Sequence, residues 1–527
     1  RECSNGRHFG SAGTAGTAWA MPATPAMPLV QAGAHMDKTL QAVVLGTGCL
    51  VASAAALKYY LNERTPKGCA KVRGSGWLGL LGALPEMWKC ILKYEAHSEL
   101  VKYHDDLGNT LDFDFGILQL FLAPMIITRD PQNVKFMLKT QFENFEKGET
   151  FHAIGQDVLG DGIFNVDGES WFKQRKTASQ MFTANRFKQH IWRVVEKNCN
   201  KVISILAEQQ EPVIDMFSLL NRFTLDSIGE IGFGADIGSL ENPVSPFLKS
   251  FDEAQRIIFK RFVLPGWRLF RLLGLGPEAQ TRRHMRALRS YSRRIVEDLA
   301  EALEKPAGDS FVGLFMKNEP GLHPEFLADL VLNFLIAGRD TTAQALSWCL
   351  FLVMQHPAVE ERILEEVERV SFGKSLSYDQ LSQLTYTEAV LREALRLYPS
   401  VPLDSKFVTE AMTLPDGTWV PRGSMVIYNS YAMGRSKQIW GEDAAEFRPE
   451  RWLNAEPKDP YEYPVFHAGP RECLGKRLAM VEMKTVLAEL LRHASFRLAV
   501  PKDQVLPDTS ATLGMSSGLK CHYEMRL

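Results

Sequence analysis

The stretch LADLVLNFLIAGRDTTAQALSWCLFLVMQ, Leu327 to Gln355, is apolar nearly all round. A helix with one apolar stripe can lie on a surface, but one that is apolar on every side has to run through a core. Whatever this chain folds into is therefore built around that segment. Its polar interruption, AGRDTT (Ala337 to Thr342), falls in the middle. Glycine weakens a helix there, and burying the charge of Asp340 is costlier still. A solvated kink is the bland explanation; placement in the core favours chemistry.

The surrounding pattern is mostly helical from about residue 90 onward. HPAVEERILEEVERV sets Val359, Ile363, Val367 and Val370 on one face, with Pro357 in a favoured first-turn position. A short β region comes later in MTLPDGTWVPRGSMVIYN, where the Asp416-Gly417 and Pro421-Arg422-Gly423 turns separate runs rich in Val, Ile, Thr and Trp. Regular βαβ alternation and internal repeats are absent from the sequence. The expected class is mainly α with a small β part.

The formal net charge of -2, with no basic run interleaved with aromatics, argues against nucleic-acid binding. The eight cysteines (Cys3, Cys49, Cys69, Cys90, Cys199, Cys349, Cys473 and Cys521) are scattered and form no C-x-x-C. That pattern excludes a disulfide framework, a zinc ribbon and a ferredoxin-type cluster. No H-E-x-x-H occurs among the twelve histidines, which excludes a zincin.

Residues 1–35, rich in Ala, Gly, Thr, Pro and Met, read as a disordered leader, an untranslated segment or a transit peptide. TLQAVVLGTGCLVASAAAL, Thr39 to Leu57, has nineteen positions without a charge, enough for one bilayer-spanning helix. The basic residues after it (Lys58, Arg64, Lys67, Lys71 and Arg73 against the single Glu63) would put the body on the cytoplasmic side. The alternatives are a buried helix or a cleaved signal. The expected organisation is a membrane anchor over 36–60, a basic Gly/Pro-containing linker over 61–89 and a catalytic domain over 90–527. GSGWLG matches G-x-G-x-x-G through Gly74, Gly76 and Gly79. A basic linker precedes it, and Gly82 and Pro85 interrupt any helix after it, so it lacks the strand and helix that a dinucleotide site needs.

The second chemical signal is FHAGPRECLGKR, Phe466 to Arg477. Cys473 sits between Gly469 and Gly475, which let backbone come close to a flat ligand, and just ahead of an amphipathic run. A helix N-terminus there favours negative charge on sulfur. Arg471 can reach an anionic group of the same ligand. A single thiolate without a second soft ligand suits axial ligation of haem iron. Alone, the cysteine has a blander reading as a buried structural residue.

Phe466, Gly469, Arg471, Cys473 and Gly475 together complete F-x-x-G-x-R-x-C-x-G, which resembles the haem-binding signature of the cytochrome P-450 superfamily. Further motifs occur in the family's order. EALR gives Glu393 and Arg396, and FRPERW gives Arg451, whose counterpart joins that pair beneath the haem. WFKQR supplies Trp171 and Arg175, matching a W-x-x-x-R contact to a haem propionate. Lys406 stands where many relatives carry an arginine for the same task, and keeps the charge without the planar fork. AGRDTT resembles the family's acid–alcohol pair, which implies that Thr341 hydrogen-bonds in the opened turn or at the oxygen site, that Asp340 relays protons, and that Gly338 leaves room over the haem.

The resemblance covers residues 74–527 and implies the cytochrome P-450 fold, with the long central helix over a haem b whose iron Cys473 ligates. It also implies monooxygenation: NADPH electrons arrive through an NADPH-cytochrome P-450 reductase, one atom of O2 enters the substrate and the other leaves as water. Anchor and family together imply the endoplasmic reticulum membrane. LNFLIAGRDTTAQALSW, LGDGIFNVDGESWFKQRK and MTLPDGTWVPRGSMVIYNSYAMGR resemble the plant, algal and fungal fatty-acid ω-hydroxylase branch. Val401, Pro402 and Leu403 are expected to line an apolar pocket, suited to an acyl chain and equally to an alkane, sterol or terpenoid. Ala337 occupies the position of the glutamate that tethers haem covalently in another branch, so no tether is expected. Rival classes are an O2-independent haem-thiolate isomerase or dehydratase, disfavoured by the intact Asp340 and Thr341, and a non-catalytic haem carrier or sensor.

Overall fold

The computed structural model describes residues 63–73, 81–120, 122–182, 185–244, 246–263, 266–303, 311–319, 321–454, 456–508 and 510–526, with Ser53, Ala56 and Tyr60 in isolation. The chain divides into Arg1–Tyr60 and Leu61–Leu527, and the second unit holds the helices and strands of the body. The leader over 1–35, most of the anchor over 36–60 and the GSGWLG run lie outside the described residues. Among the described residues no helix is long and apolar enough to cross a membrane.

Helices dominate: α1 (Leu84–Leu92), α2 (Ala96–Leu107), α3 (Gly148–Leu159), α4 (Gly168–Met181), α5 (Asn185–Glu208), α6 (Met216–Phe233), α7 (Pro246–Val263) and α8 (Trp267–Leu273). They continue with α9 (Glu278–Leu303), α10 (Phe311–Asn318), α11 (Pro324–Val353), α12 (Pro357–Ser371), α13 (Thr385–Leu397), α14 (Ser430–Met433) and α15 (Lys476–His493). The core is wrapped around α11. Pro324 takes the first turn and His323 caps it, accepting from the Glu325 amide at 3.2 Å. Leu330, Val331, Leu332 and Asn333 are successive positions that point to four sides of the axis, and all are fully buried. The helices α6, α9, α13 and α15 pack against it.

The β part is divided. The largest sheet has the order β1 (Ala70–Val72), β2 (Thr110–Phe113), β3 (Met125–Thr128), β9 (Met425–Asn429), β6 (Leu403–Val408), β4 (Phe145–Glu146). The β6–β9 pairing is antiparallel with Lys406 opposite Val426. β5 (Val213–Asp215), β10 (Ala494–Leu498) and β11 (Lys520–Met525) form a second sheet. β7 (Met412–Thr413) and β8 (Trp419–Val420) form a hairpin across the Asp416-Gly417 turn, with Gly417 at φ +87°.

Part of the expected linker over 61–89 belongs to the folded body instead. β1 pairs in parallel with β2, and Lys67 exchanges backbone hydrogen bonds with Trp419 at 3.1 and 2.8 Å. Three strand residues among lysines and glycines are too few to show a period of two, so the sequence hides them.

Candidate haem-thiolate site

The loop before α15 is shaped by backbone demands. Gly469 opens a 3-10 turn at φ +69°, and a Cβ there would lie 2.1 Å from the Leu138 carbonyl oxygen. Only glycine fits that approach. The Cys473 amide donates to the Phe466 carbonyl at 2.8 Å, which closes the loop. Burial pushes the Cys473 thiol up, while the Gly475 amide donating to the sulfur and the Arg175 charge oppose that rise. The residue keeps accessible surface although protein surrounds it closely.

Three cations gather near this loop from separate elements. Arg471 donates to Asp167 at 2.6 Å and to the Val166 carbonyl at 3.1 Å, with its guanidinium 4.5 Å from the centre of the buried Trp171 ring. Arg175, four residues along α4 from Trp171, donates to the Glu472 carbonyl at 2.6 Å. Lys406 is 1% exposed and its ammonium has no hydrogen-bond partner among the described residues, with Asp404 3.7 Å away. Burial pulls its pKa down to about 7. A buried ammonium short of acceptors is costly, and the carboxylates of a haem would satisfy it. The donor set therefore fits haem: a thiolate in a glycine-lined loop, with Arg175, Arg471 and Lys406 available for the propionates.

Beneath lies the frame expected from EALR and FRPERW. Glu393 and Arg396 pair at 2.7 and 2.9 Å, both fully buried, and Arg451 donates to Glu393 at 2.8 Å. Arg396 also donates to the carbonyls of Gly434, Ala444 and Glu446. One helical turn thus ties down a loop some fifty residues later in the chain.

On α11, the Thr341 hydroxyl donates to the Ala337 carbonyl at 2.6 Å, and Ser400 donates to the Thr341 carbonyl at 2.7 Å. Asp340 is buried 3.1 Å from Arg339, which reaches the half-exposed Asp252 at 2.6 Å. Burial raises the Asp340 pKa against the pull of Arg339. Gly338, expected to leave room over the haem, has its missing side chain aimed at α6: a Cβ would lie 2.4 Å from Ile228 Cγ1. Its bareness serves the close approach of α6 and α11.

A cavity of about 410 Å³ opens from Ile336, Ala337 and Thr341, roofed by Phe259 and Phe262 of α7. Val401 and Leu403 line it, as the sequence suggests, whereas Pro402 is not among its lining residues and its carbonyl instead accepts from the Tyr431 amide at 3.4 Å. Arg73 also lines it; its side chain is 68% exposed, and Nε lies 3.5 Å from Asp114.

Two groups escaped the sequence reading. Asp404 gathers Lys147 at 2.7 Å, the Tyr428 hydroxyl at 3.3 Å and His467 at 3.2 Å. Burial alone would raise its pKa, but Lys147 and Lys406 outweigh that and hold it well below the usual carboxylate range. Its alternation with Lys406 along β6 was the available signal; Lys147 lies 257 positions away and gave none. Asp252 likewise could not be connected to Arg339 before the fold was known.

Comparison of the sequence with known proteins points the same way. The family model described as Cytochrome P450 matches residues 75–520. The chain is 38% identical over 450 residues to Cytochrome P450 704B1 of Arabidopsis thaliana, covering 75% of this chain and 86% of that protein. It is 38% identical over 386 residues to Cytochrome P450 94A1 of Vicia sativa, covering 69% and 74%. With Cytochrome P450 86B1 of Arabidopsis thaliana it shares 36% over 425 residues, covering 75% and 76%. The matched span contains the loop, the ion-pair frame and the acid–alcohol pair, and on that ground the chain belongs to the cytochrome P450 family of haem-thiolate monooxygenases.

Proposed function

We propose that this monooxygenase hydroxylates medium- and long-chain fatty acids at the terminal carbon, fed with NADPH electrons by a cytochrome P-450 reductase. The observation that carries the reading is the cavity: its walls are chiefly aliphatic and aromatic, it reaches Ala337 and Thr341, and Arg73 stands among its lining residues. An acyl chain suits such walls, since each methylene removed from water contributes about 0.8 kcal/mol. Arg73 offers a guanidinium to the carboxylate. The long likeness of the AGRDTT helix and its neighbours to the ω-hydroxylase branch supports the same class.

Haem ligated by Cys473 supplies the oxygen chemistry; the chain supplies position and protons. Thr341 holds a hydroxyl at the inner end of the cavity, satisfied for the moment by the Ala337 carbonyl. Asp340 is the acid that holds and passes the proton, and Arg339, which also pairs with the half-exposed Asp252, fixes its carboxyl without carrying protons itself. Phe259 and Phe262 keep bulk water from the reacting carbon. A primary C–H bond is stronger than a secondary one, so terminal attack requires these walls to present only the methyl end.

A place at the endoplasmic reticulum membrane agrees with the exposed Leu269, Leu272, Leu273 and Leu275 beside Arg268 and Arg271 of α8. The test is product mapping by mass spectrometry after incubation with reductase, NADPH and a panel of fatty acids. A terminal alcohol is the expected product. Protein with an intact reduced-CO spectrum that yields no oxygenated acid would overturn the substrate class and move the search to alkanes, sterols and terpenoids.

A further inference from the structure

His97, on the first turn of α2, lines the same cavity and is 4% exposed. Neither ring nitrogen finds a hydrogen-bond partner among the described residues. Its aromatic neighbour is Tyr431 of α14, with ring centres 5.3 Å apart, and the Arg435 guanidinium lies 3.6 Å from the centre of that same Tyr431 ring. Leu100 and Tyr103 of α2 and Ile427 of β9 share the cavity wall. Buried polar atoms are nearly always satisfied in folded proteins. An imidazole held at a ligand cavity with none of its capacity used calls for a partner that arrives with the ligand.

The chemistry of that partner is set by the surroundings. Burial, and secondarily the charge of Arg435, lower the pKa of His97 to about 4, so the ring is neutral near pH 7. A neutral imidazole presents a donor or an acceptor according to its tautomer. A hydroxyl can answer either one. A carboxylate answers only the donor and would bring a charge into an apolar bore, where Arg73 offers it a wetter and better-matched place.

Resting on the fatty-acid reading, we infer that His97 is a specificity-determining residue of this cavity and recognises a hydroxyl borne on the acyl chain. Plain chains then bind by their apolar surface alone, and an isomer whose hydroxyl meets His97 binds more tightly than its neighbours.

Titrating the purified haem-loaded protein with hexadecanoic acid and with its monohydroxy isomers, one chain position at a time, tests this through the ligand-induced spin-state shift. One isomer, or two adjacent ones, should bind about three- to tenfold more tightly than the other isomers, the yield of a single net hydrogen bond. In His97→Phe the preference among isomers, taken as a ratio to the same variant's affinity for plain acid, should vanish; His97→Gln, which keeps a donor and an acceptor, should retain part of it. A flat isomer profile in wild type, or a preference that survives in His97→Phe, would overturn the role of His97 and leave the fatty-acid reading standing. No shift with plain acid in wild type would sink the fatty-acid reading, and this inference with it.

Discussion

Glu393 is a buried carboxylate whose every partner donates to it: Arg396, Arg451, the Trp452 indole at 2.9 Å and the Arg448 amide at 2.9 Å. Removing one member of a buried ion pair leaves the other charge stranded, a loss of about 3–5 kcal/mol. Glu393→Gln should therefore destabilise the protein on that scale in urea unfolding and release haem at lower denaturant than wild type. Arg451→Lys keeps the charge but not the fork, so a loss of about 1–3 kcal/mol is expected. These residues were legible because each lies in a compact motif with a fixed order along the chain. Asp404 and Lys147 were not, because their 2.7 Å contact joins β6 to the loop before α3 and nothing local announces it. At Gly338 the motif announced the glycine but not its neighbour: a Cβ there would meet Ile228 of α6.

Between elements, the contact of α15 with α11 carries a proton. Glu482 is 3% exposed and bonded to the Thr342 side chain, next to Asp340 and Thr341 on α11. Burial raises its pKa from 4.5 to about 8, so the native state holds the carboxyl neutral at pH 7. The unfolded chain ionises from about pH 4.5 upward while the native state does not, so stability is full below that pH and falls until the native group also ionises near pH 8. A shift of that size corresponds to a few kcal/mol at most. Glu482→Gln, which keeps a carbonyl for Thr342 without a proton to lose, should flatten the decline of melting temperature between pH 5 and about 8. A decline as steep as wild type would mean that Glu482 is not its source. The helices themselves were read well where the pattern was strong. The expected Leu327–Gln355 becomes Pro324–Val353, shifted at its start because His323 and Pro324 form a cap that an apolar pattern does not count. β1 was lost in a basic stretch because edge strands of three residues carry almost no periodic signal.

At the scale of the molecule, the cavity is assembled from helices distant in sequence, and one side chain holds several of them together. Arg261 of α7, with a side chain 1% exposed, grips Glu278 at the start of α9 with bonds of 2.7 and 2.8 Å. It also reaches Asp157 at 2.7 Å and the Ile154 carbonyl at 3.0 Å, both on α3. The same α7 carries Phe259 and Phe262 over the cavity, and Phe151 of α3 stands 5.4 Å from Phe262. The roof is thus fixed through a buried charge cluster rather than by apolar packing alone. Arg261→Met strands Glu278, only 3% exposed in its side chain, and should lower stability by about 3–5 kcal/mol. Asp157 retains Arg271 at 2.7 and 2.8 Å, so the stranded charge is chiefly that of Glu278. Adding Glu278→Met should then restore most of the loss, because replacing both partners removes the unpaired charge. Ligand kinetics separate this from a general weakening. If Arg261 sets the position of the roof, the double variant melts close to wild type yet releases a bound lipophilic ligand faster. If it matters only for stability, release returns to the wild-type rate along with the melting temperature, and the cavity roof is held by its phenylalanines.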